Sequence, residues 1–324
     1  MQASLQTDIS VILYVAFGHS EKENIMDNIQ HTIALNGENS INFPNLGIYL
    51  NHVPQSFSIF GVTITLYGMI IALGILLGFV IGINEAKKTG QDPEDYWTMG
   101  VIGVIAGILG ARLYFVIFSW DYYRDNLFSI IDVRGGIAGL AIYGGIIGAF
   151  VTAVTYARVK KLNTMLIFDT VSLCLINAQI LGRWGNFFNR EAFGEYTNNL
   201  FAMQMPVSRV SRGDITPLME QNIEVMNGVN FIQAHPTFLY ESMWNLVLFI
   251  GLLIYRKRKK YDGEIFLLYI FGYGVGRFWI ETLRTDQLML FANVPVSLAL
   301  AGVTAVVSGF FLVYLRVRNK KVKP

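Results

Sequence analysis

IFGVTITLYGMIIALGILLGFVIGI, residues 59–83, runs for 25 residues without one charged side chain. A hydrocarbon core of roughly 30 Å needs about 20 apolar residues in helical form. Six further stretches repeat the pattern, at 97–118, 137–157, 164–186, 236–255, 263–283 and 293–315. Closed barrels also span lipid, but their strands are short and alternate apolar with polar residues, unlike these runs. The composition agrees: 53% of the 324 residues are hydrophobic and 15% charged, where soluble domains carry about a quarter charged residues. The sequence therefore predicts an all-α integral membrane protein with seven transmembrane helices.

Basic residues set the expected orientation, because cytoplasmic connections collect Lys and Arg. Connections after the first, third and fifth spans carry Lys87 and Lys88, Arg158, Lys160 and Lys161, and the run Arg256 to Lys260. With the tail, that side holds fifteen basic residues, the opposite side seven, and the spans three, Arg112, Arg183 and Arg277. The expectation is an N-terminus outside and a basic cytoplasmic tail at 316–324. Residues 1–42 read as a polar N-terminal extension whose apolar VILYVAF (11–17) is too short to span, with Met26 as an alternative start. Residues 43–58 read as an amphipathic interfacial arm. Residues 187–235 are mixed in polarity and long enough for a small extracytoplasmic head. No internal repeat of the kind many transporters carry is visible. The one cysteine, Cys174, lies in an apolar run and reads as a buried hydrophobe. The four histidines show no metal-ligand spacing.

Ionisable residues inside a bilayer are costly, so each is a functional candidate. On the expected topology Arg112, Tyr143, Arg183, His235, Glu241, Arg277, Glu281 and Arg284 all fall in the outer half. The inner half is almost empty of polar groups. Arg277, Glu281 and Arg284 are spaced by four and three, which puts them on one helix face. Arg183 has no such local partner and sits between two glycines in ILGRWGNFFNREAFG, followed by Asn186, Asn189 and Glu191. A self-neutralising ladder would account for the first trio, and snorkelling for an arginine at a helix end. Neither accounts for the asparagines. Several guanidinium groups in one leaflet suit a phospholipid phosphate. The residues alone thus point to an enzyme or binder acting on an anionic lipid.

GLAIYGGIIG, GRWGNFFNREAFG, HPTFLYE and GYGVGRFWIETLR follow one another on successive spans. In this order they resemble the prolipoprotein diacylglyceryl transferases of bacteria, over a region running from about residue 43 to the C-terminus. The resemblance implies transfer of the diacylglyceryl group of phosphatidylglycerol to the lipobox cysteine of a preprolipoprotein. A thioether forms and glycerol phosphate leaves, at the outer face of the cytoplasmic membrane, with no cofactor, metal or nucleic acid. It also implies roles for Arg183 and Arg277 against the leaving phosphate. Tyr67, Asn186, Asn189, Glu191, Gly194, Glu241 and Glu281 match positions that bind lipid or shape the site. His235 opens the third motif, Arg284 resembles an outer arginine that gates the headgroup, and Arg112 joins the binding set. Many relatives hold a histidine, often assigned as the base, where this chain has Tyr143. A tyrosine with pKa near 10 is a poor base for a thiol near 8.5. Tyr143 is then a donor to phosphate, or a phenol whose pKa the arginines lower, or a bystander while Glu241, Glu281 or His235 takes the proton.

Three rival classes fare worse. A transporter asks for polar groups through both leaflets. A seven-helix retinal protein asks for a lysine in the last span, and 293–315 contain none. A receptor-like or structural membrane protein leaves the arginines without a role.

Overall fold

The computed structural model describes residues 37–130, 140–287 and 295–322, with side chains up to residue 319. The extension over 1–36 and the start of the third expected span at 137–139 lie outside the described residues, as do Arg134 and residues 293–294 of the last span. The long helices are α1 (Leu66–Thr89), α2 (Pro93–Phe118), α4 (Ile142–Val159), α5 (Thr164–Asn189), α7 (Thr237–Tyr255), α8 (Glu264–Glu281) and α9 (Val296–Val322). Two short ones, α3 (Trp120–Tyr123) and α6 (Pro217–Gln221), lie between them. Among the described residues six helices are long and apolar enough to cross a membrane, so the protein is a multi-pass membrane protein. The helix at the remaining expected span, α8, is 18 residues long and carries Glu264, Arg277 and Glu281.

Strands are the feature that hydropathy did not anticipate. The first helix starts at Leu66 instead of near residue 59, because β3 (Ser56–Ile59) and β4 (Val62–Thr65) close into a hairpin. Its two-residue turn, Phe60–Gly61, has φ of +49° and +80°, the doubly positive pattern that suits the twist of an antiparallel pair. β-Branched residues on β4, alternating in SFSI and VTIT, favour strand over helix. A five-stranded antiparallel sheet in the order β2-β1-β5-β7-β6 joins β1 (Ile41–Phe43) and β2 (Ile48–Leu50) to β5 (Met203–Pro206), β6 (Glu224–Met226) and β7 (Val229–Ala234). Residues 43–58 thus contribute strands.

The described residues fall into two compact units. The first holds residues up to Ile70, Gly182–Met243 and the described part of 277–299, and the second holds the rest. In the first unit the sheet buries Ile41, Met203, Met205, Ile232 and Ala234 against Phe187, Phe193 and Phe238. Its other face buries Gln204, whose amide donates to Glu224 at 2.8 Å and Gln233 at 3.1 Å. Arg190, just past the end of α5, is almost wholly buried. It donates to the carbonyls of Asn39 at 2.8 Å, Val53 at 2.7 Å and Phe188 at 3.1 Å. Burial lowers its pKa to about 10, which still leaves it charged at neutral pH. It staples the residues around β1 to the C-terminal turn of α5.

In the second unit α2 and α4 pack backbone to backbone. A Cβ on Gly144 would stand 2.2 Å from the carbonyl oxygen of Gly110, and one on Gly148 would stand 2.4 Å from that of Ala106. Small residues at this spacing allow the dispersion contact that holds helices together where no hydrophobic effect operates. Gly144→Leu is expected to force the helices apart and cost about 1–3 kcal/mol or more. A thermal unfolding curve in detergent should show the loss, and an unchanged midpoint would refute the seam.

Polar groups also gather at the helix ends that carry the basic connections. There Arg256 pairs with Glu85, and Lys259 with Asp169 at 3.1 Å. Asp169 also accepts the backbone N–H groups of Gly263 and Phe266 at 3.0 Å each. Glu264 accepts from Arg316 at 2.7 Å and from the Tyr255 hydroxyl at 3.0 Å. Glu85 and Glu264 thus join Asp169 as buried acids at these helix ends. Basic residues counted only as orientation signals also neutralise them.

Candidate active site

The C-terminal turns of α5 place Arg183, Asn186 and Asn189 at spacings of three on one face. Trp184, Phe187 and Phe238 lock the turns from another side, with ring centroids 4.9–5.9 Å apart. Gly185 exists because the ring of Tyr67 lies on it: a Cβ there would meet Tyr67 Cδ2 at 2.4 Å. The chain then turns through left-handed φ at Arg190 (+56°) and Ala192 (+57°). Between them Glu191 accepts from Asn186 Nδ2 at 2.8 Å and Asn189 Nδ2 at 3.3 Å. Asn186 Oδ1 in turn accepts from Arg183 at 3.2 Å.

Glu241, on α7, joins the arginines. Its Oε1 lies 2.8 Å from Arg183 Nη2 and its Oε2 lies 3.0 Å from Arg277 Nη1. On α8, Arg277 Nη2 is 2.5 Å from Glu281 Oε2, and Arg284 Nη1 is 3.9 Å from the same oxygen. Glu281 also accepts from the hydroxyl of Ser297. The result is an alternating seam, Arg183–Glu241–Arg277–Glu281–Arg284. Both glutamates are 3% exposed at the side chain, whereas Arg183 and Arg277 are 21% and 15% exposed. The acids are the buried scaffold and the guanidinium edges are what a ligand can reach. Arrays of this kind bind and stabilise phosphate charge.

Three segments close over the seam. Gly194 donates to the carbonyl of His235 at 3.0 Å, Glu195 to that of Leu283 at 2.9 Å, and His235 to that of Glu195 at 3.0 Å. Gly194 also bridges Arg284. A Cβ on Gly194 would stand 2.6 Å from the Leu283 oxygen and 2.8 Å from His235 Cβ, so the closure requires glycine. The half-buried imidazole of His235 lies 3.3 Å from the Tyr240 hydroxyl and 3.4 Å from Asn199 Nδ2. Burial lowers its pKa, so it is neutral at neutral pH.

Eleven of the thirteen residues singled out from sequence, Tyr67, Arg183, Asn186, Asn189, Glu191, Gly194, His235, Glu241, Arg277, Glu281 and Arg284, belong to the first unit. Arg112 and Tyr143 belong to the second. Arg112 donates to the carbonyls of Ile130 at 2.9 Å and Ser129 at 2.8 Å and lies over the Tyr123 ring. Tyr143, in the first turn of α4, is half exposed, with its ring 6.3 Å from that of Tyr114. Two residues escaped the sequence reading. Arg190 was counted as an outside charge, and Asp286 carried no signal beyond standing two positions after Arg284. Among the described residues no group of three or more His, Cys, Asp or Glu is placed to hold a metal.

The chain is also similar to known proteins over most of its length. The sequence model of a family described as prolipoprotein diacylglyceryl transferase matches residues 54–314. A Clostridioides difficile protein named phosphatidylglycerol–prolipoprotein diacylglyceryl transferase is 39% identical over 267 residues, covering 82% of this chain and 96% of its own. Proteins of the same name from Listeria innocua and Staphylococcus aureus strain Newman are 38% and 39% identical, covering 82% and 84% of this chain and 90% and 93% of theirs.

Proposed function

The chain belongs to the prolipoprotein diacylglyceryl transferase family, and from that membership we propose how its charged seam carries the reaction. The protein is a transferase that moves the diacylglyceryl group of phosphatidylglycerol to prolipoproteins. In our reading the acceptor is the thiol of a lipobox cysteine. Its sulfur attacks the glyceryl carbon that bears the phosphate. The C–S bond forms as the C–O bond breaks, the electron pair leaves with glycerol phosphate, and the thiol proton passes to a base.

One observation carries the role of the seam: Glu241 holds Arg183 with one oxygen and Arg277 with the other. Two guanidinium groups fixed in this way need no reorganisation when charge grows on the leaving phosphate, which is the source of electrostatic catalysis. Glu241 and Glu281 act as holders, their oxygens already committed. Asn186, Asn189 and Glu191 orient Arg183, Tyr67 walls it, and His235 and Arg284 receive the headgroup. Arg112 braces the turn at 127–130.

The topology follows the charges. α8 serves as a seventh span, since 18 residues at 1.5 Å each reach about 27 Å, close to the hydrocarbon thickness. The excess of basic residues on the opposite connections puts the seam in the outer leaflet of the bacterial cytoplasmic membrane. The five-stranded sheet then forms an extracytoplasmic head.

Purified protein given phosphatidylglycerol and a lipobox peptide in detergent should release one glycerol phosphate per thioether formed. Thioether without glycerol phosphate, or neither product, would overturn the reading. We propose that the Tyr143 hydroxyl acts in the reaction as a hydrogen-bond donor. Loss of that bond in Tyr143→Phe should slow transfer about tenfold, with activity retained in Tyr143→His. Full activity in the Phe variant would leave Tyr143 as packing.

A further inference from the structure

Arg284 is already clasped. Its Nε lies 2.9 Å from Asp286 Oδ1 and its Nη2 lies 2.6 Å from Asp286 Oδ2, the two-pronged geometry in which a guanidinium also takes a phosphate. Glu281 stands 3.9 Å from the remaining nitrogen. Asp286 is 27% exposed at the side chain and Arg284 is 12% exposed, so the pair meets water at the carboxylate. Both residues lie past the end of α8, two positions apart in irregular chain. The carboxylate can swing away without unwinding a helix.

We propose that Asp286 is an internal competitor for Arg284, a latch that yields its place to the lipid phosphate and expels the phosphate product by taking that place back. The inference rests on the reaction proposed above. Phosphatidylglycerol is a phosphodiester with one negative charge. The leaving glycerol phosphate is a monoester, carrying about −1.5 to −2 at neutral pH by analogy with phosphorylated side chains. A site made only of arginines would therefore hold its product more tightly than its substrate, and product release would limit turnover. A tethered carboxylate removes that trap, because its effective concentration near Arg284 is high and never declines. Burial opposes its charge, but hydrogen bonds from Arg284 and the arginine's own charge hold the Asp286 carboxyl below the usual carboxylate range. It is thus ionised throughout the neutral range and ready to compete.

Steady-state transfer by Asp286→Asn tests the latch. The variant should show inhibition by added glycerol phosphate at about tenfold lower concentration, a lower KM for phosphatidylglycerol and a lower kcat. Asp286→Glu restores the carboxylate and should show product inhibition close to that of the unaltered protein. Product inhibition unchanged in Asp286→Asn, or Asp286→Glu behaving like the amide, overturns the latch. If the amide variant does not elute as a folded species in detergent, Asp286→Ser carries the same comparison. Failure of the unaltered protein to release glycerol phosphate at all would instead strike the reaction itself.

Discussion

Arg183→Ala is expected to lower the rate of diacylglyceryl transfer by about 10²–10³-fold, the usual cost of removing one preorganised donor from a developing oxyanion. The fold should survive, because Glu241 keeps its second partner, Arg277, 3.0 Å away. Arg183→Lys separates charge from geometry. An ammonium keeps the positive charge but cannot bond Glu241, Asn186 and a phosphate with one planar fork, so activity between that of alanine and arginine is expected. The assay is release of glycerol phosphate under saturating lipobox peptide. Full transfer by the alanine variant would mean that Arg183 does not touch the phosphate.

Glu241→Gln should be worse for stability and as damaging to rate. The carboxylate spends one oxygen on each of two guanidinium groups and is almost wholly buried. A neutral amide of the same size leaves both cations short of their counter-charge and presents an N–H₂ group toward one of them. Breaking a buried ion pair by removing one partner costs about 3–5 kcal/mol. Thermal unfolding in detergent should register that cost, and transfer should fall because Arg183 and Arg277 lose the carboxylate that holds them together. A variant as stable and active as the parent would show that Glu241 does not hold the seam.

Most of the helical architecture was legible because hydropathy is a local property of a chain in lipid. The run around residue 75 or residue 105 needs no partner to declare itself. The Arg277, Glu281 and Arg284 ladder was legible for a similar reason, since helix periodicity alone brings positions three and four apart together. Strands were not. In 56–65 the apolar content that marks a span and the alternation that marks a hairpin coincide. The Phe60–Gly61 turn decides between them, and it lacks the Asn-Gly or Asp-Gly pair that usually announces such a turn. β1 and β2 are three residues each; they pair with each other, and β1 joins the sheet only by meeting β5, far along the chain.

The seam divides in the same way. Residue type and spacing identified which groups do not belong in a bilayer, and a charge in lipid is conspicuous wherever its partner lies. Partner choice was a matter of tertiary structure. Arg183 appeared solitary because Glu241, 58 residues away on another helix, leaves no mark of proximity in the order of residues. Gly194 stood out as a position that binds lipid or shapes the site, and the steric need for glycine there comes from Leu283 and His235. Arg190 looked like one more outside charge until two carbonyls from far along the chain, those of Asn39 and Val53, converged on it. Composition and periodicity therefore determined that this chain crosses a membrane and carries arginines within its apolar helices. The packing of helix ends against one another decided which acid holds which arginine, because ion-pair geometry depends on distances that no local pattern encodes.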